Sequence, residues 1–307
     1  MGYNCVVCVK QVPDTKRITG DAMQEDGTVN RAALPAVFNP EDLNALEQAL
    51  AIRDAHGGTV TAVAMGLPAA CQVLREALCR GADRAILITD RRAAASDTLA
   101  TSYILSCAIA KLSPDIVLCG RQAIDGDTAQ VGPQLAEKLD MPVITYLEKL
   151  DALEGDTITV ERNVGNGFEI VKAKLPVLVT VMDTANTPRP PAAKRIMKFK
   201  KARSRAEVEK VAEDLLMDDY EDYTAELQAS EVEKHCAALD EKGLLIEQWD
   251  LDFLQADLQW CGRSGSPTKV HRIQSVVLKG GEYKEYAPDD SSIGEMVASL
   301  IKDHTIG

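Results

Sequence analysis

"PDIVLCGRQAIDGDTAQVGPQLAEKL", Pro114 to Leu139, decides the fold. Its first seven residues, 114–120, are an apolar run of strand length, and its end reads as a helix stopped before Met141-Pro142. Pro133 lacks an N–H and fits only the first turn of a helix, so the regular helix is expected to begin near Gln130. The N–H groups of Thr128 to Gly132 then have no helical acceptor and point outward. Together with the helix dipole they make an anion site that needs no lysine. Gly126 is expected to supply positive φ and close backbone approach, Asp127 to cap the helix or hold the loop, and Asp125 to take a ribose hydroxyl. Gln130 is as readily placed in solvent as in the site. On this stretch alone, an ordinary capped turn is the simpler reading.

Working outward, the same unit recurs. A strand over 4–10, a helix opened by Asn39-Pro40 and closed at Gly57-Gly58, and a strand over 59–66 come first. A helix closed by Gly81, a strand over 83–89 and a helix capped by Ser96 or Asp97 follow. Strand and helix alternate, and the strands are apolar throughout. This predicts an α/β fold: a doubly wound, mostly parallel sheet with helices on both faces. Ligands of such sheets lie beyond the carboxyl ends of the strands, here Cys8–Lys10, Met65–Gly66 and Cys119–Gln122. Thr98 and Thr101 open a helix at the same edge and form a second candidate phosphate contact, although a plain N-cap explains them locally.

After Asp140 the pattern becomes short alternating strands with turns at Glu154-Gly155 and Gly165–Gly167, an added antiparallel set expected to pack on the first sheet. "NTPRPPAAKRIMKFKKARSR" reads as a stiff proline arm and a basic helix that meets an acidic surface or a partner. Residues 206–262 read as acidic and helical, and "RSGSPTKVHRI" as an extended arm. Two regions result: a nucleotide-binding α/β domain over 1–202, and a helical and extended C-terminal arm over 203–307.

A net charge of −13 argues against nucleic acid as a main partner, and 4% aromatic content against base-stacking platforms. No apolar run reaches the roughly 18 residues of a membrane helix, and the start turns polar too soon for a signal peptide. The eight cysteines lie mostly in apolar runs, and Cys5 and Cys8 read as strand interior rather than a metal pair. Free thiols fit a cytoplasmic protein. The four histidines are scattered, and no catalytic or metal-ligating set emerges. The phosphate loops G-x-x-x-x-G-K-S/T and S-G-G-x-D, the dinucleotide fingerprint G-x-G-x-x-G after the first strand, and the elbow G-x-S-x-G are all missing.

In order, "VCVKQVPD", "NPEDLNALEQAL", "AVAMGLPAA", "LREALCRGADRAILI", "RQAIDGDTAQVGPQLAE", "VERNVGNGFEIVKAKLPVLVTV" and "PRPPAAKRIMKFKK" resemble the β subunit of electron-transfer flavoproteins, over about residues 4–202. The resemblance implies a heterodimer with an FAD-carrying α subunit and a nucleotide held by this chain. Its contacts carry over to Cys8; Asn39, Pro40, Glu41 and Asp42; Met65 and Gly66; and Gly120, Arg121, Gln122, Ala123, Ile124, Asp125, Gly126, Asp127, Thr128, Ala129, Gln130 and Val131. The nucleotide is structural AMP in the ordinary branch. In the electron-bifurcating branch it is a second FAD, which takes a hydride from NADH.

"KQVPDT", "DTLATS" and the long tail with "WCGRSGSPTKVHRI" resemble the bifurcating and nitrogen-fixation-type branch, where Thr98 and Thr101 would add diphosphate contacts. Implied redox partners are an acyl-CoA dehydrogenase-type or other flavin dehydrogenase, a quinone, and ferredoxin or flavodoxin as low-potential acceptor. Ala193-Lys194 stand where common members carry an apolar docking anchor followed by proline. A non-redox nucleotide-binding module on the same sheet is the alternative.

Overall fold

The computed structural model describes residues 2–14, 34–219, 225–268 and 285–302. Chain order begins β1 (Tyr3–Cys8), β2 (Gln11–Pro13), β3 (Ala36–Phe38), α1 (Pro40–His56), β4 (Gly58–Met65), α2 (Cys71–Arg80) and β5 (Arg84–Ile88). It continues α3 (Thr98–Leu112), β6 (Ile116–Gly120), α4 (Val131–Lys138), β7 (Val143–Glu154), β8 (Thr157–Asn163), β9 (Phe168–Lys174) and β10 (Val177–Val181). Then come α5 (Ala193–Phe199), β11 (Arg203–Ser204), α6 (Arg205–Asp219), α7 (Ala225–Glu241), β12 (Leu245–Trp249), α8 (Leu251–Leu254) and α9 (Asp290–Lys302).

One ten-stranded sheet runs β11-β12-β5-β4-β1-β6-β10-β7-β8-β9. Its pairs are parallel from β11 to β7 and antiparallel along β7-β8-β9. The central strands are apolar because both faces are covered. Tyr3, Cys5 and Val7 of β1 face a core built with α1 and α2, whereas Val6 faces a second core built with α3, α4 and residues 249–261. The chain moves outward from β1 through β4 to β5, then returns to β6 on the other side of β1. That reversal puts the switch point, and the crevice that commonly binds ligand, between the carboxyl ends of β1 and β6.

Three differences from the sequence-based expectation stand out. The antiparallel strands do not pack on the first sheet but extend it edgewise, because β10 pairs with β6 and β7 continues the row. "LIEQW", inside the stretch read as helical, is the strand β12, which pairs with β5. "RSGSPT" is a compact turn rather than an extended arm: Ser266 is buried and its hydroxyl donates to Gly262 O at 2.7 Å. The remainder of that arm, 269–273, lies outside the described residues. It is the proline arm, rather than the basic helix that follows it, that pairs with acidic residues of α1: Arg189 meets Glu47 and Asp54 at 2.8 Å each.

Candidate functional site

The β6–α4 junction has two halves of opposite character. The first half, Gly120 to Asp125, is tied at almost every residue to Lys10, just past β1, and to Asn39, Glu41 and Asp42 at the start of α1. Asp42 accepts from Gly120 N at 3.0 Å and Lys10 N at 2.9 Å. Glu41 accepts from Arg121 Nη2 at 2.7 Å and Gln122 N at 2.8 Å. Asn39 donates to Gln122 O at 2.9 Å and accepts from Ile124 N at 3.2 Å. Lys10 Nζ holds both oxygens of Asp125 at 2.8 Å. The side chains of Asn39, Glu41 and Asp42 are buried and turned to this protein-internal work, while Pro40 sits at the start of α1, where its missing N–H costs nothing.

Gly120 is required here by space. An added Cβ would lie 2.6 Å from Asp42 Oδ1 and 2.7 Å from Glu41 Cβ. Burial pushes the Asp42 carboxyl up to about 7, against the hydrogen bonds from Asn39, Gly120 and Lys10 that favour its charged form. Burial first, and Asp42 second, push the Cys8 thiol up to about 12, so it is no thiolate at neutral pH. Cys119 is shifted in the same direction by burial, Cys8 and Asp42. The two cysteines line the end of the sheet as small apolar side chains.

The second half, Gly126 to Gly132, is open. Gly126 N and Asp127 N close a turn on Ala123 O at 3.3 and 2.9 Å. Beyond them, the N–H groups of Thr128, Ala129, Gln130, Val131 and Gly132 have no acceptor among the described residues. The first helical donor of the junction is Gln134 N, to Gln130 O at 3.0 Å. This is the run predicted from Pro133. Left-handed backbone falls at Asp127 (φ 48°) and Ala129 (φ 52°), not at Gly126. Left-handed residues alternating with ordinary ones turn successive N–H groups into one concavity, a geometry that receives anions. Two non-glycine residues in this conformation mark a strained segment of the kind that clusters at ligand sites. Asp127 does not cap α4: the N-cap residue is Gln130, with no side-chain cap, and the Asp127 carboxylate is exposed.

Gly132 fixes the helix against the sheet, since a Cβ there would lie 2.8 Å from Thr180 Cγ2 and 3.0 Å from Cys119 Sγ. Across the edge, Thr98 Oγ1 donates to Gln130 Oε1 at 2.8 Å and accepts from Gln134 Nε2 at 3.4 Å, so the starts of α3 and α4 touch. Thr101 is one turn deeper, its N–H held by Asp97 O at 2.9 Å. Asp97, not Ser96, caps α3 by accepting from Ala100 N at 2.9 Å. Met65 ends β4 half-buried against the second core, and Gly66 is held by its N–H to Ile88 O at 3.0 Å. The structure therefore brings the predicted residues to one edge, with backbone donors at 128–132 that have no acceptor among the described residues.

Sequence reasoning placed Lys10 at the ligand edge but missed its pairing with Asp125. It also missed the seam between α3 and the C-terminal turn, where Thr268 N donates to Asp97 Oδ2 at 2.9 Å and Asp97 N to Ser266 Oγ at 2.8 Å. Among the described residues no group of His, Cys, Asp or Glu could hold a metal ion, and no helix is long and apolar enough to cross a membrane.

A model of the electron transfer flavoprotein domain matches residues 26–216. The chain belongs to the electron transfer flavoprotein family. Its similarity to the β subunits runs past that domain. The electron transfer flavoprotein subunit beta of Clostridium acetobutylicum is 38% identical over 303 residues, covering 99% of this chain and 100% of that one. The subunit beta of Thermoanaerobacterium thermosaccharolyticum is 51% identical over 193 residues, 63% of this chain and 73% of that one. The acryloyl-CoA reductase electron transfer subunit gamma of Anaerotignum propionicum is 38% identical over 304 residues, 98% of each chain.

Proposed function

We propose that this chain is the β subunit of a cytoplasmic heterodimer that carries FAD at the β6–α4 junction, accepts electrons from NADH there and passes them on by bifurcation. The observation that carries the site is the run of five N–H groups, Thr128 to Gly132, with no acceptor among the described residues. Such a run suits phosphate oxygens, which it can hold by charge-assisted hydrogen bonds. Thr98, adjoining Gln130 at the start of α3, supplies a hydroxyl for a second phosphate.

When bound, the flavin supplies hydride and single-electron chemistry. The chain's own residues bind, orient and shield. Gly120 and Gly132 let the loop and helix approach the sheet, and Asn39, Glu41 and Asp42 hold the loop's first half. Similarity to a reductase's electron-transfer subunit over nearly the whole chain supports the redox role. The proposed partners are an FAD-carrying α subunit, a flavin dehydrogenase, and ferredoxin or flavodoxin.

One observation favours a second reading, structural AMP. The N-terminus of α3 is already occupied by the Asp97 carboxylate, which leaves the α4 end as the open phosphate cradle. Counting flavin and AMP released on denaturing the purified heterodimer separates the two. Two FAD and no AMP, with bleaching on NADH addition, is the expected result. One FAD and one AMP would establish an ordinary one-flavin carrier instead.

A further inference from the structure

Asp125 is the last residue of the junction tied to the β1–α1 side of the crevice; Gly126 N and Asp127 N then turn back on Ala123 O, and from Thr128 to Gly132 the N–H groups have no acceptor among the described residues. The anchor of Asp125, Lys10, is itself fixed at both backbone ends, its N–H donating to Asp42 Oδ2 at 2.9 Å and its carbonyl accepting from Asn39 N at 3.0 Å. The ammonium meets both Asp125 oxygens at 2.8 Å, with the side chains 49% and 26% exposed. The pair thus joins positions 115 residues apart across the crevice between β1 and β6.

We propose that Lys10 is a positioning residue for the nucleotide: its ion pair with Asp125 sets where the free N–H run begins and so holds the cradle in its binding shape. The inference deepens the function proposed above and rests on it. It accounts for an acid inside an anion site, because Asp125 is neutralised by Lys10 and serves as the loop's tether rather than as a ligand. Asp127 has no such partner among the described residues, and it is exposed. A partly exposed pair with two-oxygen contact sits at the upper end of surface ion-pair strengths, so opening of the loop should change about fivefold when the pair is lost.

The test uses the full chain co-expressed with its α subunit, in four forms: wild type, Lys10→Arg, Lys10→Met, and Lys10→Met with Asp125→Asn. Amide exchange at the hydrogen-bonded N–H groups of Gln122, Ile124, Gly126 and Asp127 and the dissociation rates of AMP and FAD, each as a separate probe, are measured. Arginine can keep the two-oxygen contact. Lys10→Arg should therefore behave as wild type, and both Met-containing forms should exchange and release nucleotide about fivefold faster. Unchanged exchange in Lys10→Met would overturn the tether. Recovery of wild-type exchange and release in the double variant would reduce Lys10 to charge compensation and overturn positioning. If wild type binds neither probe, the proposed function falls, while the exchange rates still decide the tether.

Discussion

Two helices start at the same edge of the sheet, and their starts differ in chemistry. At α3, Asp97 places a carboxylate on the first-turn N–H groups, and Thr268 N braces that carboxylate from the C-terminal turn. At α4, five N–H groups in succession have no protein acceptor among the described residues, and the cap position holds Gln130 with no side-chain contact to them. A closed start contributes stability and leaves fewer backbone donors for an anion. An open start gives up about 1 kcal/mol of capping and keeps its donors for a ligand. The difference teaches that the preceding loop, rather than the helix, decides which end of an α/β unit serves binding. One loop lends its aspartate to its own helix, whereas the other lends Asp125 to Lys10.

The most damaging change should be Gly120→Ala. Its Cβ would press on Asp42 and Glu41, both buried, which overpacks the anchored half of the α4 junction. A loss of about 3 kcal/mol in chemical denaturation, with loss of nucleotide, is expected. A fully stable, binding-competent variant would show that the anchored half is dispensable.

Next comes the pH signature of two aspartates. Asp42 is raised to about 7, so between about pH 4 and 7 the folded chain keeps a proton that the unfolded chain gives up. Its contribution to stability is therefore full near pH 4 and falls as pH rises, by at most about 1.4 kcal/mol per unit, levelling above pH 7. Asp97 has the opposite sign. Burial pushes it up, but hydrogen bonds from Ala100 N and Thr268 N outweigh this and hold it below the ordinary range. Its contribution is present above about pH 4 and is lost as pH falls further. Denaturation from pH 4 to 8 should show this decline in wild type and lack it in Asp42→Asn. A decline of equal slope would assign it to another group.

Asp97→Ala should cost about 1 kcal/mol through loss of the cap. AMP affinity should stay near wild type, because AMP needs only the open start at α4. A large fall in AMP affinity would join the two helix starts into one site and end the contrast between them.

The smallest effect is expected at Gly126. Its φ is not left-handed, and nothing lies within 4 Å of an added Cβ, so Gly126→Ala should change stability by less than about 0.5 kcal/mol. Any loss of nucleotide affinity in that variant then reports close approach of the ligand to the backbone, not disturbance of the loop.

These contrasts show where sequence carries far and where it stops. The alternation from β1 to α4 was legible because buried parallel strands are apolar on both faces, and Pro133 alone located the free N–H run. The left-handed positions were not legible. Glycine is the residue that tolerates positive φ best, yet the turn places Asp127 and Ala129 there and leaves Gly126 relaxed. The Lys10–Asp125 pair was hidden because its members are 115 residues apart. The strand β12 was hidden by acidic, helix-favouring neighbours; its pairing with β5 depends on an edge that only the assembled sheet provides.

That last pairing has a consequence for synthesis. β5 leaves the ribosome long before residue 245 is made, and until then its outer edge has no neighbour. A nascent chain ending near residue 202 would expose the backbone of "RAILI", an apolar strand whose free edge invites pairing with other chains. Completion of the translation product is thus a folding step in its own right. Shortened versions of this polypeptide should accumulate in inclusion bodies unless a substitute strand covers that edge.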